Sequence, residues 1–328
     1  EEETDIPKEE VTSDAAQEED SIKNIKSLVH DTKLEGGKSL WATTLETFGM
    51  ADGKGKKGDV LADTEEEAVE SIKSMLAACK DEAPKWQFTL TPLEQFNATL
   101  DDVLRAFVLW AKNDDEPIYN ISKAFRRLDS YATWMEDHRS VLEAPLVVDS
   151  LTVAAHAWQC KLTHDAKDRL VWWIDVGALD IPSIKSSIPH DDSLRFFVWQ
   201  SHLVMFDKKA QENGIILAQS MGEKGMIETM TMVPMSLGTK LDRLTIGTLP
   251  IKMQVFYIFN HKRWLGILMG MLKPFLSKKM RQRIVTIPRN QDPQTVMDKE
   301  IGRDFIPVGF AGLEGKAEDD IVFGQYIK

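Results

Sequence analysis

Three side chains with metal-binding chemistry follow one another at helical spacing. The apolar pattern of residues 150–162 predicts a helix, which contains His156 and Cys160 at positions i and i+4. If the helix continues two residues further, it also contains His164 at i+8. On one helix they would share a face, and imidazole and thiolate are common zinc ligands. The sequence offers no obvious fourth ligand, and a helical cysteine between apolar neighbours is usually a core residue. We therefore expect no metal site here.

Other stretches match catalytic or cofactor motifs only in outline. Residues 53–58, GKGKKG, have the glycine spacing of a dinucleotide-binding loop, but no buried strand precedes them, so we interpret them as a basic linker. Asp191 and Asp192 indicate a solvated helix start rather than an acid pair. The chain contains no G-x-S-x-G, P-loop, H-E-x-x-H or C-x-x-C motif. We expect no catalytic residues and no cofactor, and hence a protein that is not an enzyme.

The most unusual segment is 261–284, HKRWLGILMGMLKPFLSKKMRQRI, because it is basic and apolar in an acidic chain. It contains seven basic residues and no acidic one, placed around an apolar run from Trp264 to Leu272. This run is too short to span a bilayer, which takes about 20 residues. Apolar surface flanked by lysine and arginine suits a helix that lies on an anionic membrane. A buried helix followed by a solvated basic helix is the alternative.

The acidity of the chain is concentrated near its start. The 328 residues carry a net charge of −12, and residues 1–85 hold 22 acidic and 11 basic side chains. This composition, poor in aromatics, predicts a largely disordered extension that could recruit a protein partner. Two cysteines, Cys79 and Cys160, fit a reducing compartment. With no secretory signal or long apolar run in the sequence, we expect a cytoplasmic protein, and no nucleic-acid partner.

The order of the predicted elements indicates the fold class. The predicted helices cover 64–80, 99–111, 121–135, 150–162, 193–211, 239–247, 264–272 and 293–301. The predicted strands cover 170–176, 214–218, 252–259 and 284–287. Helices followed by alternating strands and helices are typical of an α/β domain with a mainly parallel sheet. We predict an acidic extension at 1–85, a helical subdomain at 86–145 and the α/β domain at 146–328.

Apolar side chains of the predicted helix 193–211 could line a pocket. Phe197, Ser201 and Met205, at i, i+4 and i+8, place one hydroxyl between apolar walls, which suits a lipid-sized cavity. An ordinary hydrophobic core is the alternative.

From about Leu100 onward the sequence resembles the CRAL-TRIO lipid-binding family, which includes alpha-tocopherol transfer protein, retinaldehyde-binding proteins and phosphatidylinositol/phosphatidylcholine transfer proteins. The resemblance is carried by segments in the family's order and spacing. These are 102–108 (DVLRAFV), 123–128 (KAFRRL), 169–173 (RLVWW), 211–216 (QENGII), 256–260 (FYIFN), 273–276 (KPFL) and 306–310 (IPVGF).

The resemblance implies a CRAL-TRIO fold, in which a helical subdomain precedes a mainly parallel sheet and flanking helices enclose a hydrophobic lipid pocket. The implied pocket residues are Phe197, Ser201, Met205, Ile215, Phe256, Ile258, Leu268 and Met271. A mobile gate helix is implied at 264–272, with the residues Trp264, Leu265, Ile267, Leu272 and Phe275. Phosphoinositide headgroups are implied to contact Lys252, Lys279 and Arg283.

The expected function is therefore to bind one lipid, a phospholipid such as phosphatidylinositol or phosphatidylcholine, and to transfer or present it at membranes. Its expected partners are the lipid and an anionic membrane surface, on which the protein would sit peripherally. Two alternatives stay open: a regulatory module that senses membrane phosphoinositides, and a carrier of an isoprenoid such as a tocopherol, retinoid or carotenoid. An enzyme acting on lipids would need a nucleophile that no motif supplies.

Overall fold

A five-stranded sheet organises the second half of the chain. The computed structural model describes residues 59–79, 98–113, 118–143, 153–154, 157–158, 160–225, 228, 235–272, 278–288 and 290–318. The sheet strands are β3 (Cys160–His164), β4 (Leu170–Asp175), β5 (Ile215–Ser220), β6 (Met253–His261) and β7 (Ile284–Pro288), adjacent in that order. β3 runs antiparallel to β4, and the later strands are parallel. The predicted α/β class with a mainly parallel sheet is confirmed.

Helices precede the sheet and connect its strands. The helices before it are α1 (Glu65–Ala78), α2 (Leu100–Ala111), α3 (Ile121–Asp137) and α4 (Arg139–Leu142). Those within the α/β region are α5 (Ile181–Ser187), α6 (His190–Phe206), α7 (Lys208–Asn213), α8 (Met235–Asp242), α9 (Arg263–Leu272), α10 (Lys278–Arg283) and α11 (Pro293–Glu300). A π-helical turn, Arg243–Thr248, continues α8 directly. No helix within the described ranges has the length and hydropathy needed to cross a bilayer.

The two faces of the sheet pack against different elements. We call one the α11 face, since Val171, Trp173, Ile216 and Phe259 form a cluster there with Met297 of α11. The other is the α6 face, whose side chains meet α6 and α9. Neighbouring side chains along a strand point to opposite faces, so a continuous apolar run such as LVWWID in β4 supplies both.

The helical subdomain includes residues that the sequence assigned to the acidic extension. β1 (Leu61–Ala62) pairs with β2 (Tyr119–Asn120), and α1 buries Val69 and Ile72 in the core shared with α2 and α3. The predicted extension at 1–85 is therefore wrong over residues 59–79. Its acidic side chains occupy the first turn of α1, where the helix dipole favours them, and leave the other face free to pack. Residues 1–58, including the GKGKKG segment, lie outside the described residues.

This correction predicts that the cap of α1 stabilises the whole fold. Thr64 accepts a hydrogen bond from the backbone N–H of Glu67 at 3.2 Å, and losing such a cap costs about 1 kcal/mol. We expect Thr64→Ala to lower the free energy of unfolding of the full chain by that amount in urea titrations. Ser74→Ala, at an exposed position of the same helix, should change it by less than about 0.5 kcal/mol. Equal values for the two variants would mean that α1 is detached from the core.

Two other predicted helices are also corrected by the structure. The helix predicted at 150–162 does not extend through Cys160, because residues 160–164 pair with β4 as strand β3. The helix predicted at 193–211 is two helices, because Asp207 ends α6 and its side chain caps α7 through the N–H of Ala210 at 2.7 Å. In both places a specific pairing or cap prevails over helical periodicity.

A buried polar link joins the helical subdomain to α6. His202 donates from Nδ1 to the carbonyl of Val198 at 2.6 Å, so its Nε2 accepts from the Tyr131 hydroxyl of α3, also at 2.6 Å. Burial lowers the pKa of His202 to about 4, and the ring is neutral at physiological pH. The opposite side of α6 is left to face the sheet.

Candidate functional site

The α6 face of the sheet is packed less tightly than the α11 face. On the α11 face, Trp173, Ile216 and Phe259 are fully buried. On the α6 face, Leu217 and Phe256 of the two central strands are only partly buried. Central strands that are covered on both sides should bury both faces equally. The remaining accessible surface on the α6 face therefore borders an unfilled space.

Two helices cover this space. Phe196, Trp199 and Leu203 of α6 share one apolar cluster with Ile258 of β6. The same cluster contains four buried side chains of α9, which are Trp264, Leu265, Leu268 and Met269. The partly exposed sheet residues thus lie beneath a cover of large apolar side chains, as in a pocket for an apolar ligand.

Cys160 begins the edge strand β3 and packs against the cluster beneath α6 and α9. Burial raises the pKa of its thiol to about 12, although the residue keeps some accessible surface. The thiol donates to the carbonyl of Trp158 at 3.3 Å and is uncharged.

The outer side of α9 is open. Gly266 and Gly270 are exposed, and a methyl group built on either would have no neighbour within 4 Å. Ile267 between them is 42% exposed. Buried apolar side chains on the inner side and small or exposed residues on the outer side make α9 a thin cover, which contacts the rest of the described protein on one side.

The pocket residues implied by the family resemblance divide between several clusters. Phe197, Phe256, Ile258 and Leu268 belong to the cluster beneath α6 and α9, and Ile215 to an adjoining cluster on the same face. Ser201 is fully buried and donates to the carbonyl of Phe197 at 2.7 Å. Met205 packs in the core of the helical subdomain. Met271 and Leu272 are helical, but their side chains, like the whole of Phe275, lie outside the described part.

Two of the predicted headgroup cations lie at the end of the sheet where the parallel strands begin. Lys252 and Arg283 directly precede β6 and β7, which are parallel neighbours. Lys279 lies in α10, and its side chain is outside the described part. α9 starts after His261, where β6 ends, and the chain returns through α10 to the start of β7. The cations therefore lie toward the end of the space where α9 finishes.

The site contains further side chains that no sequence motif identified. Ile174, Leu217 and Met253 lie on the α6 face, and strand alternation could have placed them there once β4, β5 and β6 were assigned. Gln200 of α6 is also buried, three residues before Leu203 of the cluster beneath α6 and α9. Its place in the site carries no sequence signal, because a glutamine inside a helix usually faces solvent.

The predicted metal-ligand triad is not assembled on one helix. Cys160 and His164 lie at the two ends of β3, and His164 bonds Asp207 at 3.0 Å through Nε2. His156 lies outside the described residues. Within the described ranges, no group of three or more histidine, cysteine, aspartate or glutamate side chains could hold a metal ion.

Comparisons with known proteins give one family match and a set of similar solved structures. Residues 156–312 match the family model described as CRAL/TRIO domain, a range that includes the sheet, α6 and α9. Among 33 matching chains of solved structures, one titled "Crystal structure of Sfh5" has 15% sequence identity and a TM-score of 0.41. The similarity covers 63% of this chain and 72% of that chain. No curated protein matches the sequence.

Proposed function

We propose that this protein binds one hydrophobic lipid and transfers or presents it at membranes, because residues 156–312 match the model of the CRAL/TRIO domain, a lipid-binding module. The lipid occupies the space between the α6 face of the sheet and the cover formed by α6 and α9. The observation that carries this proposal is the partial exposure of Leu217 and Phe256 on the α6 face, where Leu217 packs near α6 and Phe256 near α6 and α9. No covalent step is involved, and the lipid is the only bound group.

The energetics favour a closed pocket with a movable cover. Each methylene that leaves water for an apolar cavity gains about 0.8 kcal/mol, so a lipid chain is strongly held once inside. The same gain makes passage through open water slow. We assign the role of gate to α9, whose open outer side leaves it room to swing, and which gives the lipid an apolar route into the bilayer.

Basic residues near the gate direct it to anionic membranes. Arg263 at the start of α9 and Lys278 and Arg281 of α10 are exposed. Each contributes about 1 kcal/mol near an anionic surface, and salt screens the attraction. On this proposal the protein is cytoplasmic and associates peripherally with membranes.

The proposed lipid is a phospholipid such as phosphatidylinositol or phosphatidylcholine. Its acyl chains lie in the apolar space. Its headgroup lies at the end of the sheet where Lys252 and Arg283 precede β6 and β7. An anionic phosphate is stabilised by a nearby cation through charge-assisted hydrogen bonds. Lys279 of α10 is the third proposed headgroup contact.

Native mass spectrometry of the gently purified full chain tests the proposed function. We expect one lipid mass per chain, identified after organic extraction, and transfer of that lipid between vesicles at a rate that falls with added salt. A protein without bound lipid, which takes up none from mixed liposomes, would contradict the proposal.

The gate role predicts a kinetic effect of the two outer glycines. An alanine replacing glycine inside a helix stabilises the helical state by about 1 kcal/mol, and neither added methyl would clash. If α9 must partly unwind for exchange, we expect Gly266→Ala and Gly270→Ala each to slow lipid exchange about fivefold. The amount of lipid bound at equilibrium should stay the same.

Gly225 provides the matched control for this measurement. It also has no neighbour within 4 Å of a built methyl group, but it lies in the loop after β5 rather than in a helix. Gly225→Ala should exchange lipid at the wild-type rate in a stopped-flow vesicle assay. Wild-type rates for both α9 variants would show that the helix moves without unwinding.

A further inference from the structure

Gln200 is buried in α6 with an unpartnered polar atom. The residue is 2% exposed, and its Oε1 has no hydrogen-bond partner among the described residues. Most buried side-chain oxygens in proteins accept a hydrogen bond, because leaving one unpaired forfeits the bond it made with water. An unpaired amide oxygen inside the apolar cover is therefore available to a partner other than the described residues, such as a bound ligand.

Helical periodicity places Gln200 on the side of α6 that faces the sheet. Residues three and four apart lie on the same side of a helix. Phe196 and Leu203, on either side of Gln200, belong to the cluster beneath α6 and α9, and Val204 belongs to the adjoining cluster on the same sheet face. The side of α6 that packs on the helical subdomain carries Leu194 and Val198 instead.

A second unpartnered polar atom belongs to the same cover. Trp264 of α9 is buried in the cluster, and its indole Nε1 has no hydrogen-bond partner among the described residues. The indole can only donate, whereas a half-turn of the Gln200 amide exchanges its acceptor and donor atoms. Both groups are uncharged, so they suit an uncharged ligand atom and provide no counter-ion for a charged one.

We propose that Gln200 determines lipid specificity by hydrogen-bonding an uncharged polar group, a hydroxyl or an ester carbonyl, on the buried part of the lipid. This inference rests on the proposed lipid-binding function and identifies the part of the lipid that the pocket distinguishes. A hydroxyl is matched by the amide oxygen, and an ester carbonyl by the amide N–H. A charged headgroup, where the lipid has one, lies outside this contact.

Three probes of equal chain length test the role of Gln200: dodecanol, methyl laurate and dodecane. Their affinities for the delipidated full chain are measured by displacement of a fluorescent lipid. In Gln200→Met, which keeps the length of the side chain and removes the amide, we expect the affinity for dodecanol relative to dodecane to fall about tenfold. Taking this ratio cancels any general change in pocket hydrophobicity. Gln200→Leu repeats the measurement with a second apolar side chain.

The response to methyl laurate identifies the chemical source of the bond. If Gln200→Met loses relative affinity for dodecanol alone, the group that Gln200 binds is a hydroxyl. If it loses relative affinity for methyl laurate, that group is an ester carbonyl. Either result supports the proposal. Gln211→Leu is the matched control, because this glutamine has a partner, donating to the carbonyl of Met205 at 2.7 Å. It should reduce stability without changing the ratio.

Two outcomes would overturn the inference, and only the second would also overturn the proposed lipid-binding function. If the wild-type chain binds all three probes and Gln200→Met leaves their ratios unchanged, Gln200 has no role in specificity and the lipid-binding function stands. If the wild-type chain binds none of them and no phospholipid, the proposed function falls and the role of Gln200 with it.

Discussion

Replacing Leu217 by tryptophan is expected to lower lipid affinity about a hundredfold while the protein still folds. Leu217 lies in the central strand of the sheet, on the α6 face, where it is only partly buried and packs near Phe197 and Val204 of α6. The larger indole would enter the space proposed for the lipid. Displacing about four methylenes of lipid from it forfeits about 3 kcal/mol, which corresponds to about a hundredfold in affinity.

The neighbouring residue provides a sharp control for this substitution. Ile216 precedes Leu217 in the same strand, but it faces α11 and is fully buried. Overpacking such a site typically costs about 1–3 kcal/mol, so Ile216→Trp should lose stability where Leu217→Trp does not. Thermal unfolding and lipid titration of both variants measure this difference. Equal destabilisation of the two would show that the α6 face has no spare volume.

Acidification is expected to destabilise the fold through His202. The pKa of this buried ring is lowered from 6.5 to about 4. Between pH 6.5 and pH 4 the imidazole is therefore protonated in the unfolded chain and neutral in the folded chain. The stabilisation is fully present above about pH 6.5 and is lost as the pH falls through 4. At about 1.4 kcal/mol per pKa unit, it amounts to about 3 kcal/mol.

The difference between two pH profiles isolates this effect. We expect the unfolding free energy of the wild type to fall by about 3 kcal/mol more than that of His202→Gln between pH 7 and pH 4. Tyr131→Phe should keep the steep profile, because burial rather than the Tyr131 hydroxyl is the cause of the shift. Parallel profiles for wild type and His202→Gln would contradict the assignment.

The sheet strands with strong local patterns were predictable from sequence. β4, β5, β6 and β7 are short apolar runs between polar turns, and each is found within a few residues of its predicted place. β3 was not predictable, because its pattern also fits a helix and its pairing with β4 decides the outcome. α1 was predicted as a helix at 64–80, but the acidic composition around it placed that helix in the extension rather than in the core shared with α2 and α3.

The site was predictable in its elements but less so in its residues. A helical stripe at i, i+4 and i+8 turns by about 40° at each step. Phe197 at one end therefore faces the sheet, while Met205 at the other packs in the helical subdomain. Besides Phe197, the side of α6 facing the sheet carries Phe196, Gln200 and Leu203, and only the position of the sheet reveals this.

The buried link between Tyr131 and His202 divides the cover into two parts with different effects on the lipid. α6 is held to the helical subdomain by this hydrogen bond and by the packing of Leu194 and Val198. On the outer side of α9, by contrast, a methyl group built on Gly266 or Gly270 would have no neighbour within 4 Å. Substitutions on the anchored helix should therefore change the equilibrium occupancy of one lipid over another. Substitutions on the unanchored helix should change residence time. Selectivity and turnover of cargo could then be adjusted independently in the same pocket.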